Sequence, residues 1–256
     1  MEMLNPHCDV DRDPRGVVRL TISNAGSLNI LSTPVINAVR EGLETLAKDE
    51  DIRVLVLAGQ SEKSMIGGAD IKEMAALDQK SAEKFITGLR DLCEAVRAFP
   101  GPVIARMPGW CLGGGLEVAA ACDFRIAAHD AKFGMPEVRV GIPSVIHAAL
   151  LPRLIGWGRA RWLLMTAENI DAPTALAWGL IDVMAQQGGL DAAVERTIAM
   201  LLECGPGALR AQKALLRQWE ELPLKESVDL SIGVFGQSFV GGEPQRLMQG
   251  FVNRKR

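Results

Sequence analysis

Residues 111–123 read CLGGGLEVAAACD, and their reading decides the fold. Three glycines run straight into an alanine-rich stretch with the character of a tightly packed helix, and a carboxylate, Glu117, falls in its first turn. Upstream lies PVIARMPG (102–109), whose branched residues and Gly/Pro boundaries mark a buried strand. A strand that becomes a helix through glycine leaves the first helical N–H groups without intrahelical acceptors, at the positive end of the helix dipole. Glycine also admits a ligand oxygen to the backbone where a side chain would hold it away. Residues 113–115 are therefore a candidate oxyanion site with an acid beside it.

Working outward, VVRLTIS (17–23) and IRVLVLAG (52–59) are further buried strands. TPVINAVREGLETLAK and SAEKFITGLRDLCEAVRAF space their apolar residues as helices do, the first with Thr33 as N-cap and Pro34 at the first helical position. Strands alternating with helices predict an α/β fold. After Asp182 the strand signal fades, and DAAVERTIAMLLECG, GALRAQKALLRQWEEL and LKESVDLSIGVFGQSFV read as successive helices. The expected organisation is a core over residues 1–190 and a helical module over 191–256 that packs on the core or on a neighbouring subunit.

A second glycine turn, MIGGADIKEM, follows IRVLVLAG. Asp70 and Glu73 have the spacing of a capping box, so a helix starts at Asp70 and the N–H of Ala69 lies near its mouth. If the two loops converge they form an oxyanion hole, in which losing one donor costs about 3 kcal/mol of transition-state stabilisation. Taken singly, each is equally readable as a plain turn. Neither fits the GxxxxGK[ST] or GxGxxG nucleotide patterns.

Glu117 and Glu137, the latter in KFGMPEVRVGIPS, both have apolar neighbours. Partial burial would raise their pKa values toward the range useful for proton transfer, although the helix start opposes that rise at Glu117. The alternative is structural: a charge favouring the helix dipole, or a salt bridge to Arg125 or Arg139.

Composition narrows the function classes. With 48% hydrophobic and 23% charged residues and a net charge of -3, the 256-residue chain is an ordinary globular protein, not a nucleic-acid binder. Its five cysteines are odd in number and scattered, so neither disulfides nor zinc are expected, and reduced thiols fit the cytoplasm. The N-terminal stretch lacks the basic start and apolar run of a signal peptide, and no apolar run approaches the ~20 residues that span a bilayer.

GGADIKEM, GWCLGGGLEVAAACDFRIA and FGMPEVRVGIPS followed by LPRLIG resemble the enoyl-CoA hydratase/isomerase family, the crotonase superfamily, and the likeness runs from LTISN to the last helices. The resemblance implies a crotonase-like spiral of ββα units with a C-terminal helical module, assembled as trimers or as hexamers made of two trimers. It implies an acyl-CoA substrate whose thioester oxygen is held by the N–H groups of Ala69 and Gly114. Glu117 and Glu137 map onto the two hydratase glutamates, and having both favours syn hydration of a 2-enoyl-CoA to a 3-hydroxyacyl-CoA. Glu117 is then the acceptor of the water's proton and Glu137 the donor to the α-carbon, though two acids sharing one water are coupled. No metal or redox cofactor is implied, since CoA arrives with the substrate. Its adenine maps onto Ile66, Gly67, Gly68, Ala69 and Asp70, and Phe251 and Arg254 map onto a C-terminal site that meets a CoA phosphate bound to an adjacent subunit. Other reactions of the family (isomerisation, decarboxylation, CoA-ester hydrolysis) or simple acyl-CoA binding are the competing readings.

The chain departs from the family pattern in three places. PSVIHAALLPRL stands where hydratases commonly carry PGAGGTQRL, which makes Ser144 and His147 candidates for the acyl pocket. Ser27 stands where a lysine is usual, so phosphate contacts from that loop should be weaker. The chain has no tyrosine, which excludes relatives that depend on one near the acyl group.

Overall fold

The structure is a computed structural model in which residues 1–253 are described, residue 251 through its backbone alone. The N-terminal stretch forms two strands unforeseen from sequence, β1 (Glu2–Asn5) and β2 (Cys8–Arg12), which fold antiparallel onto β3 (Val17–Ile22). From β3 the sheet continues in parallel through β4 (Val54–Gly59), β6 (Val103–Met107), β8 (Phe124–Ala127) and β11 (Val183–Met184). All residues of β4 and β6 are buried, as expected of parallel strands covered on both faces.

A smaller sheet stacks beside it, ordered β10 (Ile170–Asp171), β9 (Lys132–Gly134), β7 (Trp110–Leu112), β5 (Ser64–Ile66). Strands β5, β7 and β9 run parallel, and β10 is antiparallel to β9. This sheet corrects the sequence reading. The glycine loops do not leave β4 and β6 directly; they leave β5 and β7, three-residue strands too short to show a pattern of their own.

Helix α1 (Thr33–Leu46) and the twenty-residue α3 (Gln79–Ala98) pack together over one face of the large sheet, with the single turn α2 (Ile71–Met74) between them in sequence. The N-cap of α1 is Ser32, not Thr33, and Pro34 is one position later than expected; the Thr33 hydroxyl is engaged by Glu73. Helix α4 (Gly114–Ala121) packs against α3 and against strands β5 and β7 of the small sheet. Two 3-10 turns, Glu137–Val140 and Ile146–Leu150, lead into α5 (Leu151–Thr166), which bends at Gly156 (φ 78°), and then α6 (Ala172–Trp178).

Helix α7 (Leu190–Leu202) covers the opposite face of the large sheet, burying Leu190, Val194 and Ile198 against Val54, Val56, Ile104 and Ile126. Arg106, buried on β6, fixes it there by pairing with Asp191 at 2.8 Å and with Glu62 at 2.9 Å. The chain ends in α8 (Pro206–Glu221), α9 (Leu224–Ser238) and α10 (Glu243–Val252). Lys213 anchors α8 by placing its buried ammonium on Asp123 at 2.7 Å and the Gly101 carbonyl at 3.1 Å. Helix α9 keeps Leu224, Val228, Ile232 and Phe235 exposed. Among the described residues no helix is long and apolar enough to cross a membrane.

Candidate active site

Strands β5 and β7 lie side by side and parallel, with Ile66 paired to Cys111, so the chain leaves both in one direction and the two glycine loops emerge together. Their backbones nearly touch. A Cβ built on Gly68 would stand 3.4 Å from the Leu112 carbonyl, and one on Gly115 would stand 2.4 Å from the Ile66 carbonyl. Gly68 (φ 118°) and Gly113 (φ 52°) also adopt positive φ, which side-chain-bearing residues rarely reach.

The amides around these loops are engaged: Gly67 donates to Leu28 O at 2.7 Å, Asp70 to Leu31 O at 3.0 Å and Gly113 to Gly134 O at 2.9 Å. The N–H groups of Ala69 and Gly114 donate to no protein acceptor among the described residues. Gly114 opens α4, and its N-cap, Gly113, has no side chain to cover the helix mouth. Asp70 caps α2 by accepting from Lys72 N at 2.8 Å and Glu73 N at 3.2 Å. Only half of the expected capping box forms, because Glu73 reaches across to Thr33 N at 2.9 Å and to its hydroxyl, tying α2 to the start of α1.

Glu117 is 4% exposed on the first turn of α4. Burial pushes its carboxyl up to about 8; the Ala148 amide, donating to Oε1 at 2.9 Å, opposes the rise, and the charge of nearby Glu137 adds to it. Glu137 opens the first 3-10 turn. Its Oε1 lies against Gly113, where a Cβ would stand only 2.5 Å away, and its Oε2 accepts from the Ser144 hydroxyl at 2.9 Å. Burial raises the Glu137 pKa too, against its own backbone N–H and Ser144. Neither acid forms the salt bridge of the structural alternative, since Arg125 pairs with Asp182 at 2.8 Å and among the described residues Arg139 makes no salt bridge to either. Glu117 does occupy the first turn of α4, where a charge favours the helix dipole. Two acids with raised pKa values thus flank the loop that carries one of the open amides.

The remaining candidates fall in different places. Ile66 is buried in β5, and Gly67 packs under Leu28. His147 is buried beneath the second 3-10 turn with Nε2 donating to Glu94 Oε1 of α3 at 2.8 Å, and burial lowers its pKa. Cys111 is buried and free, and burial pushes its thiol up, away from nucleophilic use. Arg254 lies outside the described residues, and Phe251 is described only as part of the backbone of α10. Sequence reasoning missed the Ala148 amide, the Gly113 cradle and Asn29. Asn29, buried at φ 52°, donates to Ser64 O at 2.8 Å and so supports the start of β5. No residue type announces a backbone amide, so the first had no signal to find.

Comparison with known proteins agrees with this geometry. A family profile described as enoyl-CoA hydratase/isomerase matches residues 12–256. The chain is 32% identical over 238 residues to a crotonyl-CoA hydratase of Syntrophomonas wolfei, covering 93% of this chain and 92% of that one. It is 29% identical over 241 residues to a short-chain-enoyl-CoA hydratase of Clostridium acetobutylicum, covering 94% and 92%. The crystal structure of an enoyl-CoA hydratase of Mycobacterium smegmatis superposes with a TM-score of 0.93 at 29% identity over 98% of both chains. With the profile spanning nearly its whole length, the chain belongs to the enoyl-CoA hydratase/isomerase family and has the crotonase fold.

Proposed function

We propose that the protein is a hydro-lyase that adds water, syn, across the double bond of a 2-enoyl-CoA to give the 3-hydroxyacyl-CoA. The observation that carries this reading is the pair of N–H groups, Ala69 and Gly114, that find no protein acceptor among the described residues, at the ends of adjacent parallel strands beside one buried and one half-buried acid. A thioester oxygen received by both amides draws electron density from the conjugated alkene and makes its β-carbon electrophilic. As water adds there, charge develops on that oxygen as an enolate, where fixed donors in a dry site are worth most.

The reaction needs one base and one acid. A water between Glu117 and Glu137 forms the new C–O bond at the β-carbon; one carboxylate takes its proton, the other carboxyl gives a proton to the α-carbon, and the pair ends carrying the one proton it began with. Burial raises both carboxyls, Glu117 up to about 8 and Glu137 above its ordinary value against the Ser144 hydroxyl, so either acid can carry that proton. The shared water lets the proton cross, so the macroscopic values belong to the pair.

The relatives named as crotonyl-CoA and short-chain-enoyl-CoA hydratases support a short acyl chain. On the same reading the backbone of residues 66–70 receives the adenine of CoA. Assembly as a trimer, or as two stacked trimers, is supported by the exposed apolar residues of α9, and sedimentation of the full chain checks it. No cofactor besides the substrate's own CoA enters this scheme, and the free thiols suit a reducing compartment such as the cytoplasm.

A panel of enoyl-CoA esters of graded chain length, followed by loss of the conjugated-thioester absorbance, tests the reading. Turnover of the short esters is expected. Binding of every ester without turnover of any would overturn it.

A further inference from the structure

Residues 144–148 replace a glycine-rich segment of the family with bulkier side chains, and the sequence suggests that Ser144 and His147 line the acyl pocket. Their contacts assign them other work. We propose that residues 144–148 form a clamp that holds both acids in register, with Ser144 the positioning residue of Glu137 and His147 the positioning residue of Glu117.

Four observations carry this. The Ser144 hydroxyl donates to Glu137 Oε2 at 2.9 Å while Oε1 lies against Gly113, where a Cβ would stand 2.5 Å away, so one oxygen is hydrogen-bonded and the other has room only because residue 113 is glycine. Four residues on, the Ala148 amide donates to Glu117 Oε1 at 2.9 Å, so one short segment touches both acids. Between them Ile146 sits at φ 40°, a left-handed conformation that a β-branched residue adopts only when its surroundings impose it. Next in sequence, the ring of His147, 8% exposed, donates to Glu94 Oε1 at 2.8 Å. Glu94 is itself held by Arg217 of α8 at 3.1 Å and by Arg97 at 3.5 Å. A buried histidine committed to that network is an anchor for the turn that aims the Ala148 amide, not a contact for substrate.

The charged groups around Glu137 make its clamping measurable. Glu117 faces it from α4. Helix α5, packed on the same turn, carries Arg153, Arg159 and Arg161, which are engaged elsewhere: on Glu220 O at 2.8 Å, on Trp178 O at 3.2 Å and over the Trp157 ring at 5.6 Å. Arg139 belongs to the turn itself and makes no salt bridge among the described residues. The Ser144 hydroxyl is thus the side-chain donor that stabilises the Glu137 carboxylate.

The proposal rests on the hydration reading for what the acids do, but not for how they are held, and the experiment separates the two. The Glu137 carboxyl carbon is titrated by 13C NMR in the full-length protein, its signal assigned by loss in Glu137→Gln. Ser144→Ala should raise the Glu137 midpoint by about one pH unit, the loss of a charge-assisted hydrogen bond, and Ser144→Thr should restore it. This readout stands even if no enoyl-CoA is turned over, which would sink the hydration reading alone. With a short enoyl-CoA, Ser144→Ala should lower kcat roughly tenfold at a KM within about twofold of wild type. His147→Leu and Glu94→Ala should each lower kcat by a similar factor, and the double variant should lose less than the two losses combined, because both remove the His147–Glu94 bond. An unmoved Glu137 midpoint in Ser144→Ala would overturn the clamp. So would effects of the His147 variant confined to KM and graded with acyl length, the mark of a pocket wall.

Discussion

The two acids stand in contrasting surroundings. Glu117 belongs to a helix in which all eight residues are buried, whereas Glu137 belongs to a 3-10 turn in which none is fully buried. The first is aimed by the scaffold, since the backbone of α4 fixes where its side chain emerges. The second is aimed by what touches its two oxygens, Gly113 and Ser144. The difference shows how one residue type can be held in two ways in one site: burial raises one carboxyl, and at the other a hydroxyl opposes that rise.

Removing either acid is the largest test of that contrast. Glu117→Gln and Glu137→Gln should each lower hydration of a short enoyl-CoA by about 100-fold or more while leaving CoA-ester binding nearly unchanged. Near-wild-type turnover in one variant would reduce the pair to a single working acid. Next in size is Gly113→Ala. Its Cβ would meet Glu137 Oε1 at 2.5 Å on a backbone at φ 52°, so kcat should fall by roughly tenfold or more, through Glu137 and not Glu117. An active Gly113→Ala enzyme would show that Glu137 does not need its cradle.

A smaller effect sharpens the comparison from the side of stability. The native Glu117 carboxyl keeps its proton up to about 8, and the unfolded chain loses it near 4.5, so between these values the native state binds more protons and stability falls as pH rises. Glu117→Gln escapes that fall. Its melting temperature should exceed that of the wild type increasingly from pH 5 to pH 8, by an amount equivalent to a few kcal/mol at most. Glu137→Gln should show the same sign over a narrower pH window starting from the same acidic side, because burial raises that carboxyl less and Ser144 resists the rise. Equal windows in thermal scans would remove the distinction drawn between the two sites.

The legibility of the molecule follows the same division. The long buried strands β3, β4 and β6 and the helices α1 and α3 carry enough residues for their periodicity to show, and the glycines of 113–115 mark the start of α4 because no other residue fits there. Glu117 and Glu137 were legible as acids among apolar neighbours. The small sheet was not, since β5 and β7 have three residues each, and its pairing is what brings the two glycine loops together. Nor could the sequence direct Ser144 and His147 toward Glu137 and Glu94, partners seven and fifty-three residues away whose approach depends on two 3-10 turns and a left-handed isoleucine.

The most direct measurement is a crystal structure of the protein bound to a non-reacting CoA thioester. The account predicts its carbonyl oxygen within about 3 Å of both Ala69 N and Gly114 N, with the α- and β-carbons facing the carboxyls of Glu117 and Glu137. A thioester oxygen held by neither amide, or an acyl chain on the far side of α4 from the two acids, would contradict it.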